Sequence, residues 1–212
     1  QLGSFLDQRG ICLRLQLDQD AVPVLSLDQI SLRGEHNLLN VMAACMISGV
    51  AGLPYDAIEK GVQGFGGVPH RLEFVRTWGG ADWYNDSIAT APERAMADIH
   101  SFDEPLVLLA GGRDKDLPWD EFAELVRRRV DHLVVFGEAA SKILHAMQAQ
   151  AGIAKKSERP TITRCAGLQE AVQAAAQIVQ PGDVVLLAPG GTSFDEFKDF
   201  EERGQYFAQW VK

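Results

Sequence analysis

ADWYNDSIATAPERAMADIHSFDEPLVLLAGG, residues 81–112, passes from a short apolar run through a polar loop into an amphipathic segment, then into a second apolar run closed by two glycines. The same cycle recurs downstream in WDEFAELVRRRV, HLVVFG, AASKILHAMQAQ, TITRC, LQEAVQAAAQIV and DVVLLAP. Runs such as 106–109 and 184–187 are apolar at every position, the pattern of strands covered by helices on both faces. Alternating β and α units of this kind predict an α/β fold with a Rossmann-like, doubly wound, mostly parallel sheet. Pro92 and Pro118 stand where helices should begin, and Pro181 with Gly182 punctuates the approach to the last strand. The acidic and aromatic stretch 195–207 reads as a closing amphipathic helix with Phe197, Phe200 and Phe207 turned inward.

The preceding residues read differently, with weak strands at 11–15 and 22–27 and helices at 36–49 and 55–64. They resemble the tail of a second α/β domain. Gly66, Gly67, Val68 and Pro69 form a hinge signal, because glycines widen backbone freedom and proline then fixes the exit direction. The expected division is 1–68 and 69–212. No solenoid repeat or low-complexity tract is visible.

Composition narrows the function. Across 212 residues, 46% hydrophobic, the formal net charge is -9, which disfavours nucleic acid as a partner because phosphate backbones require a basic surface. The 3 cysteines lie far apart, in neither zinc nor disulfide spacing, which suits a reducing compartment. No apolar run approaches the ~20 residues of a membrane span, and residues 1–10 lack the pattern of a secretion signal. A cytoplasmic protein is expected. The first residue is not Met, which suggests part of a longer chain.

Five clusters could carry chemistry. Asn37 and Asn40 lie three apart at a helix start and could read a nucleobase edge with planar amides, or Asn37 could cap the helix with Asn40 facing solvent. Arg71, beside His70 after the hinge, could clamp phosphate oxygens or join a surface ion pair. Residues 85–90, with Asp86, Ser87 and Thr90, follow one strand and form either a ligand edge or a capping loop. Residues 111–116 end another strand and offer Lys115, a point charge suited to a carboxylate, although the turn lacks a dinucleotide fingerprint. Residues 188–195 close the last strand, where free N–H groups and Ser193 could hold an anion. Ser193 is disfavoured as a nucleophile because no GxSxG elbow surrounds it. Three clusters thus fall at strand carboxyl ends and are expected to share one hollow facing a partner lobe.

Taken in order, GEHNLLN (34–40), VPHRLE (68–73), NDSIAT (85–90), LLAGGRDK (108–115) and GDVVLLAPGGTSFDEFKDFEERG (182–204) resemble the motifs of the Mur ligases. NDSxAT with SFDxFKxFxxRG is similar to the members that add D-glutamate. The resemblance, which covers nearly the whole chain, implies the remnant of a central ATPase domain followed by a C-terminal amino-acid-binding domain. It implies ATP and Mg2+ as cofactors of the full-length enzyme, with UDP-N-acetylmuramoyl-L-alanine and D-glutamate as substrates joined through an acyl phosphate. Asn37 and Asn40 would meet adenine, Arg71 the ATP phosphates and Asp86 the ribose. Thr90, Lys115, Ser193, Phe194 and Phe200 would hold D-glutamate.

Two departures stand out. Ile88 occupies a position where the family pattern has Lys, and GxxxxGK[ST] occurs nowhere in the 212 residues. The phosphate loop, the magnesium ligands and the family's carbamylated lysine are therefore expected upstream, and this stretch alone is expected to be inactive, with no metal ligand and no bound cofactor of its own. Another glutamate-amide ligase, such as a folylpolyglutamate synthase, and a non-catalytic ligand-binding module are the alternatives. Substrate choice separates the first, and a phosphate loop upstream of Gln1 would exclude the second.

Overall fold

The computed structural model describes residues 2–16, 20–149 and 160–212. The last residue of the stretch expected to be helical at 139–150 lies outside them. The chain divides into two compact units, Gln1–Gly67 and Val68–Lys212.

In the first unit, strands β1 (Gly3–Asp7), β2 (Gly10–Arg14) and β3 (Val22–Leu25) form an antiparallel sheet in that order. Helices α1 (Glu35–Val50) and α2 (Tyr55–Gln63) follow. Ile11, Leu13, Val24, Leu25, Val41, Cys45 and Ile58 make its core. β1 was not expected from sequence, since GSFLD buries none of its residues fully and shows little periodicity.

The second unit is a six-stranded sheet of order β4-β5-β9-β6-β7-β8. Its strands are β4 (Glu73–Trp78), β5 (Ala81–Asn85), β6 (Leu106–Gly111), β7 (His132–Phe136), β8 (Thr161–Arg164) and β9 (Val184–Gly190). β4 pairs antiparallel with β5, and every other pairing is parallel. Its helices are α3 (Pro92–Ile99), α4 (Asp120–Arg129), α5 (Ala140–Ala149), α6 (Leu168–Ile178) and α7 (Phe200–Val211).

The strands alternate their side chains between two cores. Leu106, Leu108, Leu133, Val135, Leu186 and Ala188 face α3, α4 and α5. Val107, Leu109, Val134, Phe136, Val185 and Leu187 face α6 and α7. Truncating a fully buried leucine of this kind to alanine costs about 2–5 kcal/mol. The doubly wound α/β expectation therefore holds, and the winding places β9 between β5 and β6. Helices leave β5 and β6 toward one face and leave β9 toward the other, which opens the sheet's carboxyl edge around β9.

One expected element is corrected. The closing helix begins at Phe200 rather than near residue 195, because the Asp199 carboxylate accepts from Glu202 N at 2.7 Å and caps it there. Before it, Ser193 O accepts from Glu196 N at 3.1 Å and Phe197 N at 2.8 Å, turning the chain without propagating a helix.

Candidate functional site

The loops leaving β5, β9 and β6 meet at one edge because their backbones are stitched together. Asp86 N donates to Leu187 O at 2.8 Å, and Gly190 N donates to Ala89 O at 2.8 Å, joining the first loop to β9. Arg113 N and Thr192 O are 2.8 Å apart, and Thr192 N and Arg113 O 2.9 Å, joining β9's exit to that of β6. Glycine is required at this junction. Gly112 has φ 91, and a Cβ there would lie 2.2 Å from Thr192 O and 2.8 Å from Arg203 Nη1. Gly190 has φ 68, and a Cβ would strike the Trp119 ring at 2.7 Å.

Arg203 locks the three-way junction from α7. It is fully buried. Nε donates to Ser87 Oγ at 2.9 Å, Nη2 to Ser87 O at 2.8 Å and Nη1 to Gly191 O at 3.1 Å. Ser87 Oγ in turn donates to Phe200 O at 2.8 Å. Burial pushes the guanidinium down to about 10, partly offset by the more distant charges of Asp195 and Glu196. It remains a cation at neutral pH, held by neutral oxygens.

The turn before β4 is strained and tied to the same edge. His70 and Leu72 have φ 63 and 44, left-handed values that side chains resist. His70 N donates to Glu73 Oε2 at 2.8 Å, and Leu72 N to Asp86 Oδ1 at 2.7 Å. The buried Asn85 amide donates to Gly204 O and Glu73 Oε2, each at 3.2 Å, and lies 3.0 Å from His70 Nδ1. The His70 ring meets Phe200 edge-on at 6.4 Å.

Of the residues singled out in the sequence, Asp86, Thr90, Lys115, Ser193 and Phe194 lie on these stitched loops, and Phe200 opens α7 beside them. Asp86 and Ser193 are buried, Thr90 is half-buried, and Lys115 and Phe194 are exposed. Around Lys115, the neighbouring charges are committed elsewhere: Arg113 to Glu138 at 2.9 Å, and Asp114 to Lys142 at 2.6 Å and to Trp119 Nε1 at 3.1 Å. Burial pulls the Asp114 carboxyl upward, but the bonds from Lys142 and Trp119 hold it below the usual range. Lys115 forms no ion pair among the described residues. Arg71 is exposed in the strained turn.

Asn37 and Asn40 belong to the other unit. Gly34, rather than Asn37, occupies the cap of α1. Asn37 is buried and donates to Arg33 O at 2.7 Å, while Asn40, exposed, reaches Asn37 Oδ1 at 3.5 Å. Among the described residues, no group of three or more His, Cys, Asp or Glu is placed to hold a metal ion, and no helix is long and apolar enough to cross a membrane.

Arg203, although it stands in SFDxFKxFxxRG, and Asp98 were given no role of their own. A signal existed for each. Arg203 is spaced three from Phe200 and four from Phe207, on the apolar stripe of its helix, and Asp98 lies three from Ala95 on that of α3.

The family model described as Mur ligase, glutamate ligase domain, matches residues 70–191. The chain belongs to the Mur ligase family. A UDP-N-acetylmuramoylalanine--D-glutamate ligase of Symbiobacterium thermophilum is 44% identical over 190 residues, 90% of this chain and 40% of that protein. One from Syntrophus aciditrophicus is 40% identical over 204 residues, 96% of this chain and 42% of that protein. The chain thus spans about two fifths of the length of these curated relatives. Among solved structures, the UDP-N-acetylmuramate-alanine ligase of Thermotoga maritima aligns with TM-score 0.63 at 16% identity, over 85% of this chain and 38% of that one. The folylpolyglutamate synthase of Mycobacterium tuberculosis complexed with ADP aligns with TM-score 0.63 at 19% identity, over 99% and 47%. These structural likenesses establish the shared Mur ligase fold.

Proposed function

We propose that this chain is the C-terminal part of a cytoplasmic ligase that joins D-glutamate to UDP-N-acetylmuramoyl-L-alanine in peptidoglycan synthesis. The observation that supports this reading best is the backbone stitching, around the carboxyl end of β9, of the three loops that carry Thr90, Lys115 and Ser193. The shared name and 37–44% identity of the relatives favour D-glutamate over the folate-linked glutamate of the structural neighbours.

D-glutamate carries two carboxylates and one amine. Lys115, exposed and outside any ion pair among the described residues, suits one carboxylate as a point charge. Ser193 and the backbone N–H groups near it suit the other. Thr90 fixes the orientation, while Phe194 and Phe200 exclude water from the amine. Asp86 accepts from ribose hydroxyls, Arg71 meets phosphate oxygens, and Asn37 with Asn40 reads adenine. ATP supplies the phosphoryl group that activates the acceptor carboxylate. The magnesium ligands, with the phosphate loop and the first substrate's pocket, would come from the remainder of the longer protein.

The test is kinetic. In the full-length enzyme, Lys115→Ala and Ser193→Ala should each raise KM for D-glutamate about 10- to 100-fold, the value of a lost charge-assisted hydrogen bond, with KM for ATP changed far less. Equal effects on both substrates would remove the assignment.

A further inference from the structure

Lys115 stands between two acids, and both are held. Asp114 Oδ2 accepts from Asp116 N at 3.1 Å, which closes a tight turn with Lys115 as its middle residue. Asp116 takes a left-handed φ of 57, a value that aspartate tolerates better than most residues. The same Asp114 oxygen receives Lys142 Nζ at 2.6 Å, and the other oxygen receives Trp119 Nε1 at 3.1 Å. Lys142, reaching in from α5, also lies 3.5 Å from Asp116 Oδ1 and so bridges the acids on either side of Lys115. Its bond to Asp114 raises the ammonium above the ordinary lysine range, which keeps it charged at any physiological pH.

The Asp114 carboxylate thus gathers three segments. Trp119, just ahead of α4, is buried, and its ring fills the space that a Cβ on Gly190 would take, so the indole is itself fixed against the end of β9. At the start of the turn, Arg113 exchanges both backbone bonds with Thr192, the neighbour of Ser193. The chain around Lys115 is pinned on one side to the Ser193 loop and on the other to Trp119 and α5.

We propose that Asp114 and Lys142 are positioning residues for D-glutamate: the Asp114 carboxylate, held by Lys142, fixes the turn that presents Lys115, so that its ammonium meets a substrate carboxylate at a set distance from Ser193. The inference rests on the role given to Lys115 above. Charge alone argues the opposite for Asp114. An anion beside the binding ammonium repels a dicarboxylate, so removing it would tighten binding if the turn kept its shape without it. The sign of the Asp114 effect therefore separates positioning from simple electrostatics.

The test compares KM for D-glutamate with KM for ATP in the full-length enzyme. Asp114→Ala should raise the first about tenfold, because a turn displaced by about 1 Å misplaces the ammonium, and leave the second within about twofold. Lys142→Met should act in the same direction by about five- to tenfold, while Lys142→Arg, which keeps a cation for the Asp114 oxygen, should stay within about threefold of wild type. Adding Asp114→Ala to Lys115→Ala should change KM for D-glutamate by less than about twofold, since Asp114 acts through Lys115. If Asp114→Ala leaves that KM unchanged or lowers it, if its effect multiplies in full with that of Lys115→Ala, or if both substrates suffer equally, the proposal is overturned, and an impaired Lys115→Ala still upholds the reading of Lys115. A Lys115→Ala enzyme with wild-type KM for D-glutamate overturns that reading and the proposal with it.

Discussion

Arg203 and Asp98 are both buried ionisable residues on helices flanking the same strand edge, and they meet burial in opposite ways. Arg203 keeps its charge and spreads it over Ser87 Oγ, Ser87 O and Gly191 O. Asp98 has one oxygen without a hydrogen-bond partner among the described residues, and burial first, then the influence of Asp86, pushes its carboxyl up to about 10. The difference teaches how the edge divides its labour. A cation suits the task of joining loops because three backbone and hydroxyl oxygens can surround one planar fork. A buried acid with no cation to pair it meets the same burial by keeping its proton.

The largest way to break this contrast is Arg203→Met, which strips the donor from two buried carbonyls and one hydroxyl while keeping the volume. It should cost about 2–4 kcal/mol of stability, read by urea unfolding followed through tryptophan fluorescence. All 4 tryptophans lie in the second unit, so the signal reports that unit. A loss under about 1 kcal/mol would mean that the three loops hold together without the guanidinium.

Asp98 should respond to pH instead. Burial raises its carboxyl above the ordinary aspartate value of 3.8 to about 10, so the folded chain retains a proton that the unfolded chain releases between those limits. Its contribution is fully present below pH 3.8 and is lost as pH rises toward 10, by at most about 1.4 kcal/mol per unit. Asp98→Asn should flatten the fall in stability between about pH 5 and 9, and parallel curves for variant and wild type would contradict the retained proton.

Lys115→Ala marks the other extreme. An exposed side chain without an ion pair should change stability by less than about 0.5 kcal/mol, so that any effect it has belongs to substrate binding.

The architecture of the second unit was legible because its strands are apolar at every position, the mark of burial on two faces. β4 escaped notice because it is a bulged antiparallel edge strand with Phe74 exposed, and its pattern belongs to neither a helix nor a central strand. The loops that carry Asp86, Lys115 and Ser193 were legible as strand endings, and their adjacency follows from the winding that puts β9 beside both β5 and β6. What sequence spacing could not supply was pairing across the chain. Arg203 reaches Ser87 over a separation of 116 residues, and the burial of Asp98 depends on where α3 settles. Acidic residues near 195 looked like part of a helix, whereas Asp195 Oδ2 accepts from Glu138 N at 3.3 Å and Glu196 Oε2 from Leu168 N at 3.1 Å. Those bonds fasten neighbouring loops and hold the chain out of helical register.

The central place of β9 also governs how this unit comes into being on the ribosome. The strand made last must slide between two that were made early, so β4-β5 and β6-β7-β8 wait as separate ribbons with open flanks until residue 190 has emerged. Nascent chains halted before Val184 should therefore be prone to sticking and dependent on chaperones, and release of the final segment would complete sheet and substrate edge in a single event.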